Sequence, residues 1–143
     1  MMQDQKRISA QVFSAVYGQH EVGLIESLFH PAYLQKPIGY AGQPGVRRHV
    51  DELRAAFPDL AFELIDQIGE DDAVVNLLLM TGTHAGPLFG HIPPTNRQVT
   101  VMAVVVHRFE VGQIVEGVVM IDELSLMQQL GVVPAPVWTG RAA

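Results

Sequence analysis

Gln98–Asp122 reads QVTVMAVVVHRFEVGQIVEGVVMID, and this stretch decides the fold. Two runs rich in β-branched residues, Gln98 to Phe109 and Ile114 to Ile121, are joined by Val111-Gly112 and predict an antiparallel hairpin. A two-residue turn at Val111-Gly112 pairs His107 with Glu116. It leaves His107 and Asp122 on one face, separated along the hairpin by roughly 20 Å at ~3.3 Å per residue. Valine fits poorly to the positive φ of a type I′ turn, so a three-residue loop, Glu110-Val111-Gly112, is an equal alternative. That register turns His107 to the opposite face from Asp122 unless a bulge restores it.

Upstream, Ala73 to Thr83 is a third run of the same kind, and Leu60, Phe62 and Leu64 alternate with Ala61, Glu63 and Ile65 as a half-exposed strand. Gly69 to Asp72 supplies the turn between them. The four segments predict an antiparallel meander. Its second connection carries Gly82, Gly86, Gly90, Pro87, Pro93 and Pro94 and is therefore a structured loop.

The first half has a different period. Ile8, Val12, Ala15 and Val16 recur at helical spacing over Asp4 to Gly18, and Val22 to Phe29 gives a second short helix that Pro31 discourages from continuing. His30 to Gly45 reads as an irregular loop. Val46, Val50, Leu53 and Phe57 describe a third helix, with Pro58 beyond its end, and Leu124 to Leu130 a closing helical turn. Helices followed by strands give an α+β fold: a curved, four-stranded antiparallel sheet packed against three N-terminal helices, forming a cone-shaped barrel around a pocket. One domain over residues 1–143 is expected, with its core at about 4–131 and an extended or loose tail at 132–143 whose Trp138 packs on a neighbouring subunit or stays loose.

Composition removes several functions. Nine basic against fifteen acidic residues leave a net charge of −6, and Lys6 and Lys36 are the only lysines, so nucleic acid is not an expected partner. No cysteine is present, which excludes disulfides, thiolate nucleophiles and Cys-ligated metal sites. The start has no apolar signal region and no apolar run approaches the ~20 residues of a membrane span, so a cytoplasmic protein is expected with no membrane partner. With no H-E-x-x-H, P-loop, Rossmann glycine fingerprint or G-x-S-x-G, neither a metal nor a cofactor is expected, and what remains is acid/base chemistry or simple binding.

Asp122 ends an apolar strand. A carboxyl held in a dry interior keeps its proton to higher pH and can exchange it near neutrality, whereas an aspartate at a helix start commonly caps it. His107 closes the run VMAVVVH and offers a hydrogen bond or a proton carrier. His84 and His91 lie in the glycine-rich connection at the expected pocket rim, Lys36 and Tyr40 near its mouth, and Tyr17 on the first helix. Val118 and Met120, on the last strand, complete the expected pocket wall.

The ordered set FPDL, GTHAGPLFGHIPPTNRQV, HRFEVGQIVEGVVMID and QQLG, spread over about Phe13 to Gly131, resembles the SnoaL-like polyketide cyclases of the nuclear-transport-factor-2-like superfamily, which also holds ketosteroid isomerases. The resemblance implies a cofactor-free enzyme that closes a ring by intramolecular aldol condensation, or a related isomerase or lyase, on a hydrophobic or aromatic carbonyl compound. It places the general acid/base on Asp122 and the pocket histidine on His107. A non-catalytic binder of small hydrophobic ligands is the alternative, and near-apolar strands imply a homodimer through the sheet. Where many members carry tryptophan this chain has Val118, the loop histidine is replaced around Lys36, and the usual P-T-G turn reads Pro94-Thr95-Asn96, all of which reshape the pocket.

Overall fold

The computed structural model describes residues 1–134. The hairpin forms as β4 (Gln98–Glu110) and β5 (Gln113–Ile121). Glu110 pairs with Gln113, so the turn has two residues, and Val111 accepts φ 52 beside Gly112 at φ 76. A bulge follows at once. Phe109 faces Ile114 but Arg108 faces Glu116, which leaves Val115 unmatched and moves His107 opposite Gly117. β4 alternates without a break, and its buried parity, Val99, Val101, Ala103, Val105, His107 and Phe109, faces the interior.

β2 (Ala61–Glu70) and β3 (Ala73–Thr83) complete the expected antiparallel meander. The α+β cone stands, but its sheet has five strands and is mixed, in the order β1-β5-β4-β3-β2. The added strand, β1 (Phe29–Lys36), lies within the segment read as an irregular loop and pairs parallel with β5. As an edge strand it tolerates Pro31, and its inward positions, Phe29, Tyr33 and Gln35, include a polar residue that masks the alternation.

Helices cover the concave face. α1 (Met2–Gln11) continues into a π-helical turn (Val12–Gly18), and together they bury Gln5, Ser9, Val12, Phe13, Val16 and Tyr17. A 3-10 turn (Val22–Leu24) and α2 (Ile25–Leu28) lead into β1, and α3 (Gly42–Ala56) lies across β1 with Val46 and Val50 buried. α4 (Glu123–Gln129) closes the end of the sheet through Leu126. Burying side chains of this kind stabilises by roughly 1.5–3 kcal/mol each, against the chain entropy lost on folding. The expectation for Trp138 lies outside the described residues.

Candidate active site in the cone

Sheet and helices enclose a cavity of about 400 Å³ whose wall is mostly aliphatic and aromatic. His107 belongs to that wall and is 2% exposed. β4 parity turns it inward, and the Val115 bulge sets it opposite Gly117, whose missing side chain leaves room for the Tyr33 hydroxyl. Its ring stacks on Phe13 at 5.5 Å and 6°, and Phe29 meets it edge-on at 6.5 Å. Burial alone holds its pKa down at about 3, against 6.5 in water, so the imidazole is neutral at physiological pH.

A buried chain of polar groups stands behind it. His107 Nδ1 lies 2.6 Å from Ser9 Oγ, which is 2.8 Å from Asn76 Nδ2. The same Asn76 nitrogen donates to the Val105 carbonyl at 3.1 Å, and Asn76 Oδ1 accepts from Gln67 Nε2 at 2.9 Å. Ser9 and Asn76 are both fully buried. His107 Nε2 has no hydrogen-bond partner among the described residues.

A second polar pair lines the helical side, with Tyr17 Oη 2.6 Å from His49 Nδ1. Burial raises the Tyr17 pKa well above that of a free phenol and lowers His49 to about 4, so both are neutral. On β1, the Tyr33 hydroxyl donates to Gln35 Oε1 at 3.3 Å, with both side chains on the cavity wall. The mouth carries Lys36, ion-paired with Glu116 at 2.9 Å, together with Glu123 and the exposed apolar side chains Ile38, Phe89 and Met120.

The cavity thus gathers Tyr17, Lys36, His107 and Met120 from the residues singled out in the sequence. The others stand outside its wall. Val118 pairs with Val106 on the outward parity, because the bulge gave the inward positions to Gly117, Val119 and Ile121. The Tyr40 hydroxyl is taken by Glu52 at 2.5 Å, while its ring packs on His49. His84 is fully buried in the β3–β4 connection, where its Nδ1 accepts from the Thr95 amide at 3.2 Å, and His91 is exposed with its ring bonded to the Phe89 carbonyl. Asp122 caps α4, its Oδ1 accepting from the Ser125 amide at 3.0 Å, and stands between the wall residues Ile121 and Glu123. From Gly117, opposite His107, to Asp122, just past the end of β5, is five residues, roughly 16 Å at ~3.3 Å per residue.

Sequence reasoning missed His49, Ser9, Asn76 and Gln35. Asn76 had a visible signal: in VVNLLLM it occupies the same parity as Val74, Leu78 and Met80, so the alternation puts an amide inside. Ser9 likewise falls on the buried stripe of α1. Among the described residues no three potential metal-ligating side chains cluster, and no helix is long and apolar enough to cross a membrane.

The profile of one protein family, SnoaL-like polyketide cyclase, matches residues 7–130. No protein with a curated function matches the sequence. Among solved structures, TsrD from Streptomyces laurentii superposes with a TM-score of 0.83 at 24% identity, covering 91% of this chain and 96% of TsrD. A candidate SnoaL-like polyketide cyclase from Jannaschia sp. CCS1 gives 0.84 at 21% identity, with 93% and 95% of the two chains covered. AclR from Streptomyces galilaeus, a candidate hydroxylase, gives 0.81 at 24% identity over 95% of this chain and 86% of its own. At these identities the superpositions speak for a shared fold.

Proposed function

Because the chain belongs to the SnoaL-like polyketide cyclase family, we propose that it binds a hydrophobic polycarbonyl compound in the cone and closes a ring on it by acid/base-catalysed aldol addition. The observation that carries this reading is the cavity itself: about 400 Å³, within the usual range for small-molecule sites, apolar in its walls and bearing a neutral histidine. Asp122 stands outside the cavity wall, beside its residues Ile121 and Glu123, while His107 lies within it, so in this reading the two serve different parts of an elongate ligand, Asp122 acting at the rim. His107 fixes one carbonyl oxygen by a hydrogen bond. At the other end Asp122 removes a proton from the carbon beside a second carbonyl, the resulting enolate carbon attacks a third carbonyl carbon to form the C–C bond, and the new alkoxide takes the proton back from Asp122. Atoms balance without an oxidant or reductant.

The competing reading is a non-catalytic binder, and the Ser125 amide bonded to Asp122 favours it. Both readings keep the ligand in the cone. A single experiment separates them: incubate 2-tetralone with the protein in D₂O and follow deuterium at its α-carbons by mass spectrometry, alongside binding by ligand-observed NMR. Accelerated exchange that Asp122→Asn abolishes supports the enzyme. Binding without exchange makes the chain a binder, and neither binding nor exchange sinks both. Ring closure is then sought on an aryl 1,5-diketone as the cyclic aldol. A homodimer through the outer sheet face, where Ile65, Ile68 and Met102 are exposed, belongs to the same proposal, and sedimentation showing a monomer at micromolar concentration contradicts it.

A further inference from the structure

The polar chain behind His107 has a direction, and two backbone carbonyls fix it. Gln67 Nε2 lies 2.9 Å from the Lys6 carbonyl, which only accepts, so the Gln67 atom there is the amide nitrogen. Its second hydrogen goes to Asn76, whose facing atom must then be oxygen. The Val105 carbonyl, 3.1 Å from the other arm of Asn76, gives the same answer independently, since it too needs a donor. Asn76 nitrogen therefore spends one hydrogen on Val105 and the other on Ser9 Oγ. Ser9 accepts there, and among the described residues its own hydrogen has one acceptor in reach, His107 Nδ1 at 2.6 Å. A nitrogen that accepts carries no proton, so the proton of the neutral ring is on Nε2. With the opposite tautomer, Ser9 would accept twice and its hydroxyl hydrogen would have no acceptor in a fully buried place.

We propose that Ser9 and Asn76 are positioning residues that lock His107 as the Nε2–H tautomer, so that this part of the cone presents a hydrogen-bond donor and selects a ligand bearing an acceptor oxygen there. The proposal rests on the reading above in taking the cone as the ligand site. Gln67 anchors the relay from β2, Asn76 carries it through β3, and Ser9 delivers it from α1 to a ring on β4. The relay also opposes protonation. An imidazolium would turn Nδ1 into a donor toward Ser9 and strand the same hydroxyl hydrogen.

The test is long-range ¹H–¹⁵N correlation NMR on protein labelled at its histidine rings, with the His107 signals assigned by their loss in His107→Asn. Wild type should show a bare Nδ1 and a protonated Nε2, and Ser9→Ala should bring the two tautomers to comparable populations, with Ser9→Thr restoring the first. Added 2-tetralone should shift the Nε2 proton in wild type, and Ser9→Ala should raise its dissociation constant about twofold, because the donor tautomer is then present about half the time. A wild-type His107 protonated on Nδ1 overturns the proposal even if no variant folds. A Ser9→Ala protein with an unchanged tautomer overturns the role of Ser9. Absence of α-carbon exchange in wild type, with the tautomer as described, removes the enzyme reading and leaves the lock in place.

Discussion

His107→Asn should flatten the acid side of the stability profile. Asparagine keeps an oxygen for the Ser9 hydroxyl but cannot titrate. In the native chain His107 has its pKa at about 3 against 6.5 in water, a depression of 6.5 − 3 = 3.5 units whose cause is burial. A depressed histidine costs nothing at neutral pH, where folded and unfolded states are both unprotonated. As the pH falls below 6.5 the unfolded chain takes up a proton that the folded chain refuses, and stability is lost until the folded pKa is reached. Each unit within that window is ~1.4 kcal/mol, so between about pH 7 and pH 4.5 the group accounts for roughly 2–3 kcal/mol. Urea unfolding at both pH values for wild type and variant measures it, because carboxylates and His49, whose own pKa is lowered to about 4, are present in both chains and cancel in the difference. Wild type should lose roughly 2–3 kcal/mol more than the variant on acidification. Parallel losses, within ~0.5 kcal/mol, would mean that His107 accepts a proton in the folded state, and the neutral donor in the cone would have to be abandoned.

Asp122→Asn should unfold at nearly the wild-type urea midpoint, since asparagine caps as well, whereas Asp122→Ala should lose ~1 kcal/mol; equal losses would show that the charge and not the cap supplies the stability. In Gly117→Ala the new Cβ would run into the buried Tyr33 hydroxyl, and overpacking of this kind costs ~1–3 kcal/mol, so a thermal midpoint unchanged from wild type would contradict the packing of β1 on β5. Val111→Asn should stabilise by ~1 kcal/mol, because Val111 is 91% exposed at φ 52 and gains nothing from its side chain there; a lower midpoint would contradict the two-residue turn.

What was legible in the sequence was whatever repeats. The alternation in β3, β4 and β5 fixed three strands almost to their ends, and the spacing of Val46 and Val50 fixed α3. β1 escaped because it sits at an edge, carries Pro31 and buries Gln35 where an apolar residue would have announced it. The inward set of β5 escaped because it depends on one unmatched residue, Val115, which turns Val118 out and Gly117, Val119 and Ile121 in, and nothing about a valine among valines marks it as a bulge. His49 stands beside Arg47 and Arg48 and shares their polar look, yet its ring turns to Tyr17 and the cavity. For Asp122 the residue type offered two readings, acid/base and cap. The cap is present in the structure, and the acid/base role stays with the exchange experiment.

The parallel pairing of β1 with β5 orders the birth of the protein as well as its shape. β1 is made early, but its sheet partner, residues Ile114 to Val118, leaves the ribosome some eighty residues later. Until then β1 has no strand to pair with, although α3 can already lie across it. A ribosome stalled between α3 and β4 should therefore hold a nascent chain that chaperones bind and proteases cut. Release past residue 121 should protect β1 and the strand bearing His107 in the same step, since neither edge of β5 is satisfied before then.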